Sequence, residues 1–592
     1  MKISYTWFWI FLGVISIFFH LWLVFSGLVP SLISRPIHMA LAIPWIFLYT
    51  EKLNKPSYLN LTITIIGISI CLFIALNESR LSEQYGFLNS NFQIFISVIL
   101  LMITIEMARK AIGFALPSIA IIFIIYGLFG QYIPGEFGHA GIPLKSFLGT
   151  MTITEGGIWG KLTGISVSIV AIFVILGAIL NAGEAGQGFM NFAIFSAGKL
   201  KAGAAKVAIL SSAFFGSISG SASANVASTG MITLPAMIKL GYPKRIAAAV
   251  EAVSSTGGQI MPPLMGAGAF VMVELTGIPY QNIILAALIP AFLYFATVWI
   301  GINSYANIYK LLPFQDKDKP SFMIVFKTTL FFLIPFVTLL IILFSGFTPQ
   351  FAASSAILIA FILLFIDINL KFDLRKFFTR VQTASIFAGK QIAMIASIIL
   401  CASIIVGVLG ITGLGIKITS MIISSSNGLL WPALIMTALA CIVLGMEVPT
   451  TAAYVICVSV AGPALIDMGL KPLTVHLFVF WYALLSTITP PVCGGVFIAS
   501  SMVQENWVKV SLTAMSLGLG LYIIPIAMVI HPSILNIIEN PLVSILSGFQ
   551  IVLALTAFSL SIISEKKIYI KIVFFIFGIL LFLINFTEVL KT

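Results

Sequence analysis

Apolar runs separated by brief polar or charged interruptions recur along the whole chain of 592 residues. A helix of roughly 20 apolar residues matches the hydrocarbon thickness of a bilayer. On that pattern spanning helices are predicted at about 7–29, 37–50, 59–77, 92–108, 112–132, 164–182, 246–275, 281–305, 322–345, 350–366, 385–411, 472–502, 511–531, 542–563 and 568–588. Two more regions, about 186–240 and 428–468, are equally apolar but punctuated by Gly, Pro, Ser and Thr, and read as re-entrant helical hairpins. The fold class expected is an all-α polytopic membrane protein with about 15 spanning helices and these two hairpins. The first run has no small-x-small cleavage pattern and reads as a retained helix.

Composition and charge sharpen this picture. With 60% hydrophobic and 8% charged residues, a soluble multidomain enzyme is excluded. The net charge of +12 sits in short loops between helices, so it reports orientation in the lipid bilayer and not a nucleic-acid partner. Placing the N-terminus in the cytoplasm puts Lys52/Lys55, Arg109/Lys110, Lys199 to Lys206, Lys310 to Lys327, Arg375 to Arg380 and Lys566/Lys567 inside. This works only if 186–240 enters and leaves from the cytoplasmic side and 428–468 from the outer side. The five cysteines are scattered through apolar segments and read as packing residues.

An internal repeat gives the chain its organisation. At an offset of 228 residues, Pro235-Ala236-Met237-Ile238-Lys239-Leu240-Gly241 meets Pro463-Ala464-Leu465-Ile466-Asp467-Met468-Gly469. At the same offset Ile260-Met261-Pro262-Pro263-Leu264-Met265-Gly266 meets Ile488-Thr489-Pro490-Pro491-Val492-Cys493-Gly494. Charge places the two copies on opposite sides, so the repeat is inverted, and interrupted helices at matching positions of an inverted repeat point to a secondary transporter. Four units follow: 1–110 with four helices, 111–310 with the first hairpin, 311–531 with the second, and 532–592 as an appendage.

The breaks carry the chemistry. Pro262-Pro263 and Pro490-Pro491 remove consecutive N–H donors and push carbonyls out of the helical ladder. Thr256, Gly257, Gly258 and Gln259 precede the first pair, and Ser486, Thr487 and Thr489 the second. Carbonyls with hydroxyls make an oxygen-only set suited to a hard monovalent cation such as Na⁺. The first hairpin tip offers Ser217, Ser219, Ser221, Ser223 and Asn225; the second, Glu447, Pro449, Thr450 and Thr451. Glu447 is a functional residue by default, as an acid at membrane depth, whereas Glu251 reads as paired with Arg245 at a helix start. P-loop, HExxH and GxSxG patterns are absent and the five histidines are dispersed, which leaves no catalytic constellation and no cofactor.

The blocks GSISGSASANVASTGMITLPAMIKLGYPKRIAAAVEAVSSTGGQIMPPLMGAGAFVM and VPTTAAYVICVSVAGPAL…HLFVFWYALLSTITPPV resemble the large membrane subunit of TRAP transporters. The closest resemblance is to TAXI-type fused permeases, in which a four-helix Q-type subunit (here 1–110) and the M-type subunit form one chain. The resemblance covers about residues 1–530. It implies a sodium-driven elevator importer in a bacterial or archaeal inner membrane, served by a periplasmic TAXI substrate-binding protein. The solute implied is a small organic anion, glutamate-like or a dicarboxylate. The first sodium site would lie between Ser217–Asn225 and Thr256–Pro263, the second between Glu447–Thr451 and Ser486–Pro491. Glu447 departs from the family pattern, which has a small residue there. The other reading is a stand-alone cation-coupled carrier of the same architecture that needs no binding protein.

Overall fold

Apolar side chains in this chain meet either lipid or protein, and the helices sort by which they meet. The computed structural model describes residues 2–49, 57–262, 264–266, 268–313, 320–445, 450–491 and 493–584. Among them every regular element is helical, apart from one isolated bridge between Ile366 and Phe372. Ten helices are long and apolar enough to cross a membrane, and shorter apolar helices accompany them. The all-α polytopic class expected from the hydropathy pattern is therefore observed.

Two helices form the centre. In Lys161–Ala182 and Leu374–Thr412, 83% and 78% of the most apolar stretch is buried, against 28% in Thr6–Phe25, Tyr58–Leu76, Ala115–Tyr132 and Phe322–Phe344. The outer four turn most of their apolar surface outward, as lipid contact requires. Leu374–Thr412 has 39 residues, roughly 58 Å at ~1.5 Å per residue. It begins about three turns before the expected 385, because the Asp373 carboxylate caps it by accepting from the Lys376 N–H.

Of the four leading helices, Lys2–Phe25, Ser31–Phe47 and Asn91–Ile112 pack against that long helix, and Tyr58–Leu76 packs on Ser31–Phe47 and Asn91–Ile112. Their core includes Trp9, Met39, Ile43 and Met107, with Phe147, Trp159 and Ala393 to Val408. Phe147 belongs to a helix, Leu144–Ile153, inside the segment read from sequence as a loop. Arg35 ties the unit to this segment, donating to the Trp159 carbonyl and lying 3.5 Å from Glu155, which also accepts from Ser31.

A chain of buried polar groups runs through the same junction. His20 and His38, dispersed in sequence, are 0% and 1% exposed, with His20 Nε2 2.8 Å from His38 Nδ1. His20 Nδ1 lies 2.6 Å from the Ser16 carbonyl and His38 Nε2 3.0 Å from Ser166 Oγ. A carbonyl only accepts, so with both rings neutral the protons are fixed: Ser166 donates to His38, His38 to His20, His20 to Ser16. Ser166 opens a π-helical turn, Ser166–Val170, which interrupts the central helix at this contact.

Three expected spans are broken. The 246–275 stretch is Lys244–Gly258 and Gly268–Thr276, 472–502 is Pro472–Leu485 and Gly494–Val503, and 511–531 is Trp507–Leu517 and Gly520–Ile530. The first two breaks fall at the Pro-Pro pairs. The 186–240 region holds a separate helix, Ala185–Ala197, before its hairpin, Gly203–Ser219 and Ala222–Lys239. In the other copy Leu414–Ser425 precedes Leu430–Leu444 and Thr450–Asp467. The repeat is thus structural: Ala222 and Lys239, which bound one second arm, correspond at the same offset to Thr450 and Asp467, which bound the other.

The histidine chain generates a prediction. His38→Leu strips the partners from His20 Nε2 and Ser166 Oγ, and each orphaned buried group costs about 1–3 kcal/mol. Thermal unfolding of the purified protein in detergent should show a clear loss for His38→Leu and almost none for Ile121→Val, a lipid-facing change.

Candidate functional site

The first tip is tighter than its run of alternating serines suggests. Gly203–Ser219 ends at Gly220 (φ +63°), and Ser221 restarts the chain by accepting from the Ala224 N–H. Ser217 and the backbone of residue 219 therefore belong to the first arm, Ser221 to the turn, and Ser223 and Asn225 to the second arm. Ser217 Oγ donates to its own helix at the Phe214 carbonyl. Its carbonyl accepts from the Gly266 N–H at 3.1 Å, so the tip bonds the segment that follows the first proline pair. A Cβ on Gly266 would lie 2.5 Å from Gly220 Cα, so Gly266 must be glycine for this approach.

Asn225 holds the tip to the broken helix. It is fully buried, and its amide nitrogen donates to the carbonyls of Ser212 (2.9 Å) and Ser255 (3.3 Å). Near its end Lys244–Gly258 tightens: the N–H groups of Gln259, Ile260 and Met261 turn to the carbonyls three residues back. That tightening leaves the Ser255 carbonyl for Asn225. Gly216 and Gly258 let the strands of backbone meet here, since a Cβ on Gly258 would lie 2.5 Å from the Ser212 carbonyl oxygen and 2.6 Å from Gly216 Cα.

The two broken helices meet each other. Thr256 Oγ1 lies 2.9 Å from Thr487 Oγ1, and each also faces a carbonyl of its own helix, Ala252 and Leu484. Gly495 lies against the same pair, and Ser223 Oγ faces Gly494. Residues assigned from sequence to two separate sites are thus brought to one junction between the repeats. Ser486 Oγ donates to Ala483 and lies against Gly445, the last described residue before the second tip. Thr489 is engaged with the Tyr522 hydroxyl at 2.7 Å, and Ser511 caps the Ile488 carbonyl. Pro490 and Pro491 are joined by a cis peptide bond.

Thr450 and Thr451 open the second arm of hairpin two, with Thr450 buried. Glu447, Pro449 and Pro263 lie outside the described residues, as does the side chain of Ser219. Gln259 is buried and its amide nitrogen has no partner, an unspent donor beside the junction. Two cavities flank the first tip. One of about 240 Å³ brings Ser217 and Pro262 together with Phe189, Phe214 and Phe332. The other, about 280 Å³, separates Ala224, Ala227 and Ser228 from Phe387, Gln391 and Ile395 of the long helix.

One expectation is overturned. Glu251 does not pair with Arg245, which donates to the Tyr309 hydroxyl instead. Glu251 is fully buried on a different face of the helix and accepts from Thr229 (2.5 Å), Thr233 (2.5 Å) and Ser255 (3.3 Å). The signal lay in two patterns. Thr229 and Thr233 are four apart and so share a helix face, and Ser255 stands four residues after Glu251. His476 is a packing residue, its Nδ1 2.6 Å from the Tyr454 hydroxyl, and the five cysteines are buried and free.

Asn225 and Gly258 serve one contact, which sets a prediction. Asn225→Leu and Gly258→Ala should each destabilise the protein by about 1–3 kcal/mol in thermal or denaturant unfolding. The double variant should lose less than the sum, because both act at the same backbone approach. Full additivity would separate them.

Comparison with known proteins fits this arrangement. The profile of the family described as "Tripartite ATP-independent periplasmic transporter, DctM component" matches residues 98–543. The chain is 24% identical over 336 residues to the C4-dicarboxylate TRAP transporter large permease protein DctM of Pseudomonas aeruginosa, covering 56% of this chain and 76% of that protein. It is 25% identical over 367 residues to the isethionate TRAP transporter permease protein DctMQ of Oleidesulfovibrio alaskensis, covering 60% of this chain and 55% of that one. To the DctM protein of Vibrio cholerae it is 26% identical over 364 residues, covering 58% and 78%. The chain belongs to the DctM-component family of tripartite ATP-independent periplasmic transporters: it is a multi-pass membrane permease for a solute.

Proposed function

We propose that this permease is the fused, sodium-driven membrane component of a TAXI-type tripartite importer in an inner membrane, with its N-terminus in the cytoplasm. A periplasmic substrate-binding protein delivers a small organic anion, glutamate-like or a dicarboxylate. The relatives' names, C4-dicarboxylate and isethionate permeases, support an anionic solute. The observation that carries the reading is the junction where Thr256 and Thr487 meet beside Ser223, because it gathers hydroxyls from both repeats where two helices are broken.

The chemistry follows from which oxygens remain free to coordinate. Thr489 shares a hydrogen bond with the Tyr522 hydroxyl, and the Ser255 carbonyl accepts from Asn225. The hydroxyls of Ser223, Thr256, Ser486 and Thr487 keep acceptor lone pairs, since a hydroxyl that donates its one proton still has two. Sodium at this depth takes such neutral oxygens without a carboxylate, and each ion offsets charge on an anionic solute. The unpartnered amide of Gln259 offers a donor to the solute.

The elevator reading rests on packing. Residues 1–110 act as the Q-type scaffold, since their helices pack on the long helix and its neighbours and none packs extensively on a hairpin arm. The first tip faces that long helix across a cavity, a surface that lets one part move past the other.

Three measurements test this. Sodium chloride, but not choline chloride, should raise the unfolding temperature of the purified chain, with a stabilisation of about 2.7 kcal/mol at a hundredfold excess over Kd. Thr487→Val should weaken apparent sodium affinity by about tenfold, or 1.4 kcal/mol, with little change in stability without sodium. In proteoliposomes, uptake of labelled glutamate or succinate should require both a sodium gradient and the cognate binding protein. Uptake without the binding protein would establish the stand-alone carrier instead.

A further inference from the structure

The cage around Glu251 is a second ionic feature, separate from the oxygens assigned above to sodium. Its carboxylate is fully buried between Ala222–Lys239 and Lys244–Gly258, and its described partners are all hydroxyls. The helices packed against Lys244–Gly258 are Gly203–Ser219, Ala222–Lys239, Tyr280–Tyr309, Gly494–Val503 and Trp507–Leu517. Their ionisable residues are Lys206, Lys239, Tyr280, Tyr294, Tyr305, Tyr309 and Lys509, with Lys244 and Arg245 on the helix itself. Lys206 lies over the Trp299 ring, Tyr294 donates to the Val253 carbonyl, and Arg245 contacts Tyr309. Among the described residues none of these cations forms an ion pair with Glu251.

An ionised carboxylate without a counter-charge costs several kcal/mol in such a place. Hydrogen counting points the same way. Thr229 Oγ1 lies within hydrogen-bond distance of both the Asn225 carbonyl (2.8 Å) and Glu251 Oε1 (2.5 Å). Thr233 Oγ1 likewise faces the Thr229 carbonyl (3.0 Å) and Glu251 Oε2 (2.5 Å). Each hydroxyl has one proton for its two acceptors, and a proton on Glu251 supplies a further donor.

The repeat supplies an independent control. At the 228-residue offset Asn225, Thr229, Thr233, Glu251 and Ser255 correspond to Ala453, Cys457, Ala461, Val479 and Ala483. All five counterparts are buried and apolar or weakly polar, in helices with matching bounds. The hairpin and its following helix therefore form without the cage, so the fold does not require it.

We propose that Glu251, with Thr229, Thr233 and Ser255, is a proton-binding site carried by the first hairpin and its neighbouring helix. The carboxylic acid is the loaded form, and its O–H donates within the cage. On release the proton goes to water reached through an opened hairpin, and the hydroxyls turn onto the carboxylate. The step rests on the reading of this chain as an ion-coupled importer, and makes the proton a second coupling ion beside sodium.

The test reads the proton directly. Infrared spectra of the full chain in lipid nanodiscs at neutral pH, in H₂O and D₂O, should contain a buried carboxylic-acid C=O band that shifts in D₂O. Glu251→Gln, which keeps the shape of the protonated acid, should abolish the band and retain sodium-dependent thermal stabilisation. A hydrophobic carbodiimide reacts with the protonated form, so mass spectrometry should find the unsubstituted chain modified at Glu251 even if the Gln variant fails to fold. Absence of both the band and the modification would overturn the proposal. Loss of both on adding NaCl, relative to choline chloride, would overturn it in favour of a sodium cage. Loss of sodium stabilisation with the band intact would instead sink the sodium reading and leave this one standing.

Discussion

Backbone broken inside a membrane must find its hydrogen-bond partners within the protein, and the whole transport region is organised around that demand. At the first break the helix gains by tightening: carbonyls three residues back take the N–H groups of Gln259 to Met261. The Ser255 carbonyl that this leaves over is capped by Asn225, whose amide also reaches Ser212. Three segments that would otherwise part are pinned by one buried side chain. The pin works only because Gly216 and Gly258 allow the backbones to approach. At the second break Ser511 does the same task for the Ile488 carbonyl. Hydroxyls and amides near the breaks are thus first structural, and only those left over after the capping are free for ions or solute.

The rest of the fold supplies a frame against which this region sits. The long helix Leu374–Thr412 gives one face to the leading helices and another to the main core, including Thr450–Asp467. Arg35 with Glu155 and the Ser166–His38–His20 chain fix the leading helices to the centre through polar contacts. In an apolar medium such contacts select one register where greasy surfaces alone would slide. The first hairpin, by contrast, faces the long helix across a cavity.

Hydropathy made the helices legible because lipid and protein interior demand the same apolar length. The repeat was legible because Pro and Gly mark backbone geometry, and geometry is what both copies share: Pro262-Pro263 and Pro490-Pro491 fall at the breaks. What sequence could not give was direction around a helix. Glu251 reads as an i+6 neighbour of Arg245, but that spacing turns them about 120° apart around the helix, and the acid points into the bundle. His20 and His38 are distant in sequence and meet only because two helices run side by side. The meeting of Thr256 with Thr487 likewise depends on how the copies dock, which no local pattern encodes. How the serines are distributed was likewise not legible: Ser217 lies in the last turn of one helix, Ser221 stands in the turn and Ser223 begins the next helix.

The two copies show how one fold separates scaffold from chemistry. Each ties its second hairpin arm to the following helix with a buried hydrogen bond. In the second copy the tie among the described residues is Tyr454 with His476, and the counterparts of the cage residues are Ala, Cys and Val. In the first it is a cage of an acid and three hydroxyls joined through Thr229 to Asn225, and so to the tip itself. A tie of the first kind suffices for assembly, as the second copy demonstrates. The more costly arrangement therefore has to earn its place in function. Its link to Asn225 gives it the means: any change in charge at Glu251 alters the donor that Thr229 offers, and Thr229 leans on the residue that pins the broken helix. A proton held in that cage and the shape of the first tip are parts of one hydrogen-bonded unit.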